Sequence, residues 1–204
     1  MRWRALLLPV LACLIAAGIV AAWSAKANSL GLSPEHLARL QRGEIVVLDI
    51  LPPGDRSRTM QGGTGLAMVR AEPQTVWQVL VDYPRHRGLY PHVVGAEVLE
   101  ADAVHVLVRY EVGVGPFTFG FHVNNWANAA RGRIEWRLAR ERSNALFRDS
   151  WGYWQLEPRG AGGVLLTYAM AARTVLPAFM TRRAERDGLV ETLKAVRERA
   201  ELGR

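Results

Sequence analysis

The chain has 204 residues, half of them hydrophobic, with 26 Lys and Arg against 19 Asp and Glu and a formal charge of +7. That length accommodates one domain with an extension, and the apolar share suffices for one substantial core. The single cysteine, Cys13, excludes an internal disulfide and any cysteine-based metal cluster.

The N-terminus accounts for part of the charge. Met1-Arg2-Trp3-Arg4 is a basic start, Ala5 to Trp23 is apolar, and Ala25-Lys26-Ala27 has the small-x-small form of a signal cleavage site. Removing Arg2, Arg4 and Lys26 lowers the net charge from +7 to +4. The first reading of residues 1–27 is a secretory signal cleaved near Ala27. The apolar run also has the length of a membrane anchor, since roughly 17–25 residues span a bilayer. A lipoprotein signal at Leu11-Ala12-Cys13 is disfavoured by the ten apolar residues that follow. All three readings export the bulk of the chain, either to the periplasm or to an anchored position on the outer face of the inner membrane.

Residues 28–62 read as an N-terminal extension and 63–204 as the main domain. Ser33-Pro34-Glu35 opens a helix, with a cap, a first-turn proline and a carboxylate opposing the dipole. Gly43 ends it. Glu44 to Leu51 reads as a strand stopped by Pro52-Pro53, and Gly54 to Gly65 as a polar, Gly-rich loop. Leu66 to Ala71 is the first core strand. Glu72-Pro73 then starts a short helix that places Val76, Trp77, Leu80 and Val81 on one face. Asp82-Tyr83-Pro84 stops it, because a residue before proline avoids the helical region. Tyr90-Pro91 leads into a meander of six strands near 93–101, 104–114, 117–125, 131–142, 148–158 and 164–174, separated by short turns. A long helix follows from Pro177 to about Leu202, with Leu189, Leu193 and Val196 on one stripe.

The order Val76-Trp77, Asp82-Tyr83-Pro84, Tyr90-Pro91 after an apolar strand resembles the START-like (SRPBCC) superfamily. These helix-grip ligand-binding domains include polyketide cyclases and coenzyme-Q-binding proteins. The resemblance covers roughly Gly63 to the C-terminus. It implies an α+β fold in which a curved antiparallel sheet wraps around a long C-terminal helix, with two short helices after the first core strand. The element order is consistent with that, because a long apolar stripe needs a concave partner. The resemblance also places a cavity between sheet and helix.

Period-2 alternation decides which side chains point there. Arg131, Arg133, Glu135 and Arg137 share one face of their strand, and Ile134, Trp136 and Leu138 the other. The same rule turns Tyr110, Phe117, Phe119, Phe121, Trp154 and Tyr168 inward. Trp77, Tyr90 and Met180 complete the candidate lining from the helices and the segment between them. An ordinary core would use the same residues, because aromatic rings bury large areas. Lining a cavity, they would hold a hydrophobic small molecule, with tyrosine and tryptophan tips orienting it. The lipid or quinone character of that ligand is implied by the resemblance alone. Trp151 and Tyr153 fall on the outer face, where they form a candidate contact patch for an envelope partner.

No catalytic residue, metal or cofactor is assigned. His36, His86, His92, His105 and His122 show no zinc-like spacing, and no nucleophile motif is present. His86 and His92 flank the expected cavity mouth and read as loop histidines. A cyclase or aromatase would need an inward acid or base, and the inward strand faces contain no His, Asp or Glu. Arg182, Arg183 and Arg186 read as a solvated helix face, with contact to anionic lipid headgroups at a membrane surface as the alternative. Nucleic acid is not an expected partner, given the export signal and the interspersed acidic residues.

Overall fold

In the computed structural model the structure describes residues 31–54, 60–160, 162–175 and 178–203, with 178–185 as backbone. The readings of residues 1–27 lie outside the described residues, as does the side chain of Met180. Among the described residues no helix is long and apolar enough to cross a membrane.

The chain divides into two compact units, Met1–Arg42 and Gly43–Arg204. In the first, helix α1 spans Pro34–Gln41. The Ser33 hydroxyl accepts from the His36 amide at 3.2 Å, and the Ser33 amide donates to His36 Nδ1 at 3.3 Å. This reciprocal pair satisfies two donors that a helix start leaves free.

The second unit is built on one eight-stranded antiparallel sheet. Its strands are β1 (Val46–Leu48), β2 (Gln61–Val69), β3 (Val93–Ala101), β4 (His105–Val114), β5 (Phe117–Asn128), β6 (Arg133–Leu138), β7 (Phe147–Arg159) and β8 (Gly163–Thr174). The spatial order is β1-β2-β8-β7-β6-β5-β4-β3. Two further helices are α2 (Pro73–Val81) and α3 (Ala178–Leu202). A one-turn 3-10 helix, Tyr83–His86, follows α2 as the Asp-Tyr-Pro punctuation predicts. This is the α+β arrangement expected: a meander, two short helices after the first core strand, and a long C-terminal helix against the sheet.

Helix α3 sits on β2 through Leu189 and Leu193, both essentially inaccessible. The facing strand positions are glycines. A Cβ on Gly65 would lie 2.5 Å from Leu193 Cδ1, and one on Gly63 would lie 3.4 Å from Leu189 Cδ1. The end of the stretch read as a loop, Gln61 to Gly65, is therefore the first half of β2. Gly65 marks the close approach of the helix, and Gly63 that of β1, where a Cβ would lie 2.8 Å from the Leu48 carbonyl oxygen.

The outer-face expectation for Trp151 also changes. Trp151 is 6% exposed and packs with Met60, Ala171 and Leu51. Its indole N–H donates to the Pro53 carbonyl at 3.1 Å. Gly54 makes this possible, since a Cβ there would lie 2.6 Å from the indole nitrogen. On the same face, Tyr153 is covered by the Arg133 guanidinium, 3.9 Å above its ring. The segment after β1 thus covers Trp151 and the Arg133 side chain covers Tyr153, so the two rings form no open contact patch.

Candidate functional site

The alternation of β6 holds: Ile134 and Leu138 are buried, while Glu135 and Arg137 are exposed. Trp136 follows the buried set and lies across Gly152 of β7, its register partner. A Cβ on Gly152 would be 2.5 Å from the Trp136 ring. The glycine makes the slot that holds the indole flat against the sheet.

The inner faces of β4 to β8, the end of α2, the 3-10 turn and α3 enclose a cavity of about 190 Å³. Six of the predicted residues line it: Tyr90, Tyr110, Phe121, Trp136, Trp154 and Tyr168. Their rings form a connected wall. Trp154 stacks on Tyr168 with centroids 4.1 Å apart, Tyr110 on Phe121 at 5.6 Å, and Phe121 meets Phe147 edge-on at 4.9 Å. Trp77 is partly buried and packs against the core cluster of α2 and α3 without reaching the lining. Phe117 is 65% exposed and contacts Phe119 at the tip of the β4–β5 hairpin. Neither lines the cavity, because the hairpin runs on past the part of the sheet that encloses it.

Several lining residues escaped the sequence reading. His86 is 2% exposed and forms part of the wall, whereas His92 is an exposed turn residue with φ of 63°. His86 Nδ1 shares a 2.8 Å hydrogen bond with the Tyr110 hydroxyl. Burial lowers the His86 pKa to about 4, against the opposing pull of the Val79 and Leu80 carbonyls and the Asp82 charge. The imidazole is therefore neutral at pH 7. Burial acts in the other direction on phenols. It pushes Tyr83 up to about 12 and raises Tyr90, Tyr110 and Tyr168 well above their ordinary value. The Tyr83 and Tyr90 hydroxyls and His86 Nε2 are sealed from solvent without a hydrogen bond.

Ser150 reaches the same wall by ordinary alternation with Trp154, and Phe147 joins it because a bulge between Phe147 and Asp149 shifts the strand register. Asn125 and Thr192 add polar groups from β5 and α3. The lining contains no Asp, Glu, Lys or Arg. No group of three or more His, Cys, Asp or Glu among the described residues is placed to hold a metal ion. Arg186 forms an exposed ion pair with Asp49 at 3.2 Å, while the Arg182 and Arg183 side chains lie outside the described residues. Chemically, the site is a small aromatic chamber with neutral hydrogen-bonding groups.

A family model for polyketide cyclase / dehydrase and lipid transport matches residues 69–197. No curated protein matches the chain. Among solved structures, the Zhui aromatase/cyclase from Streptomyces sp. R1128 is similar at 21% identity, over 70% of this chain and 94% of that one, with a TM-score of 0.58. A STAR-related lipid transfer protein from Xanthomonas axonopodis is similar at 18% identity, over 76% and 98%, with a TM-score of 0.60. A START superfamily protein from Mycobacterium smegmatis is similar at 17% identity, over 71% and 99%, with a TM-score of 0.59. These likenesses show a shared helix-grip fold.

Proposed function

We infer the function from one premise: the chain belongs to the polyketide cyclase / dehydrase and lipid transport family. We propose that its domain binds a hydrophobic small molecule in the aromatic chamber, for carriage or sequestration. The observation that carries this is the chamber itself, about 190 Å³ of space walled by stacked rings and free of ionised side chains. An engineered apolar cavity of about 150 Å³ holds one benzene. The space therefore suits a one- or two-ring compound. Binding would draw on apolar area removed from water, about 25 cal/mol per Å² before entropy costs.

Trp136→Ala tests this against Arg133→Ala on the opposite face of the same strand. Loss of about 50 Å² of ring contact weakens binding roughly tenfold. Equilibrium dialysis with 2-methoxynaphthalene, at equal folded fraction, is the measurement. Equal affinities in the two variants would sink the chamber reading.

The cyclase reading finds partial support in the His86–Tyr110 pair, in which the 3-10 turn supplies the inward imidazole that the strand faces lack. Its open nitrogen, Nε2, is sealed from any cavity occupant, so it does not reach a reacting atom without movement of the wall. Binding without turnover is the reading these positions favour.

Export is part of the proposal. The basic start, the apolar run from Ala5 to Trp23 and the Ala25-Lys26-Ala27 site support a periplasmic location. N-terminal sequencing of the protein from its host's periplasmic fraction should begin at Asn28. A chain that keeps Met1 and fractionates with the inner membrane would mean the anchor reading instead.

A further inference from the structure

Asn125 lies on the inward face of β5, 6% exposed, in register with Val106 of β4. Its amide nitrogen donates to two backbone carbonyls, Val106 at 3.3 Å and Val123 at 3.2 Å. Carbonyl oxygens only accept, so the amide group can be oriented one way alone. Oδ1 is the atom left over. Among the described residues it has no hydrogen-bond partner, and it is not among the sealed, unpartnered atoms of the protein. It is open to the chamber it lines.

Thr192 repeats the pattern from the opposite wall. It is 8% exposed on α3 and lines the same space. Its hydroxyl likewise has no partner among the described residues and is not sealed. Ser150 differs, because its hydroxyl is committed to the Ala171 carbonyl at 3.1 Å.

An acceptor in an apolar chamber recovers its lost hydration only from an N–H or O–H of the occupant. A charged amine would need a carboxylate, and the lining has none. A neutral hydroxyl of the occupant fits the amide oxygen, to which it donates. We propose that the chamber is a site for a compact ring alcohol or phenol whose hydroxyl is read by Asn125 Oδ1. This rests on the chamber being a binding site and adds the chemical class of what it binds.

A matched pair of probes tests the inference without altering the protein. 2-Naphthol carries the donor, whereas 2-methoxynaphthalene keeps the rings and the oxygen but loses the donor. Equilibrium dialysis should show 2-naphthol binding roughly tenfold more tightly, the worth of one net hydrogen bond. Asn125→Leu should shrink that preference to less than about twofold, read as the ratio of the two probes' affinities in the same protein. If Asn125→Leu does not fold, Asn125→Met takes its place beside the wild-type probe pair. Equal binding of the two probes to the wild type overturns the hydroxyl readout and leaves the chamber standing. A preference that survives in folded variants also overturns it. If neither probe binds, the chamber reading fails as well.

Discussion

The contribution of His86 to folding stability is expected to fall by on the order of 3 kcal/mol as the pH drops from about 6.5 to about 4, and the His86→Asn protein should lack this loss. The cause is the position of His86, 2% exposed against Tyr83, Tyr90 and Tyr110. The unfolded chain protonates this imidazole near pH 6.5, while in the fold burial delays protonation to about pH 4. Between those values the unfolded state binds more protons, so acid favours unfolding. The contribution is complete above about 6.5 and lost below about 4. The surrounding phenols stay neutral across this window because burial raises them all. Asparagine keeps an amide near the position of Nδ1, so the Tyr110 hydroxyl retains a partner while the titration disappears. Urea unfolding of both proteins at pH 7, 5.5 and 4.5 provides the readout. Parallel curves would mean that His86 is not held neutral by the fold.

That histidine was hidden from the sequence for a geometric reason. Read as a loop, the stretch after Pro84 gives no facing rule. A 3-10 turn has a period of three, so Tyr83 and His86 fall on the same side, and that side is the chamber wall. The spacing was present in the sequence, but the turn type that gives it meaning was not. By contrast, strand alternation located Tyr110, Phe121, Trp136, Trp154 and Tyr168 without help, because a period of two admits only two faces. It overreached at Phe117, where alternation continues beyond the sheet's enclosing part. It also missed Phe147, since the bulge before Asp149 breaks the parity. Asn125 shares its face with Phe121 and Val123. A polar residue at an inward position was the available signal, and attention to rings alone passed it over.

Gly152→Ala is expected to cost at least about 3 kcal/mol, the upper end of what overpacking normally costs, for the addition of one methyl group. A Cβ at this position would stand 2.2 Å from the Ala169 carbonyl oxygen and 2.5 Å from the Trp136 ring. A flexible side chain could yield, but the first obstacle is backbone. Gly152 is paired with Met170 on one side and Trp136 on the other, so relief requires opening the β7–β8 ladder that holds Trp154 and Tyr168 in their stack. The companion measurement is the same substitution in a Trp136→Ala background. Removing the indole clears only one of the two clashes, so most of the loss should persist in urea unfolding of the double variant. Full rescue would mean that the ring alone resists the methyl group and that the backbone can give. The chamber wall would then be set by a movable side chain. Persistence ties the wall to the sheet: the strand pairing that makes the fold also fixes where the Trp136 ring lies, and hence the space left for a ligand.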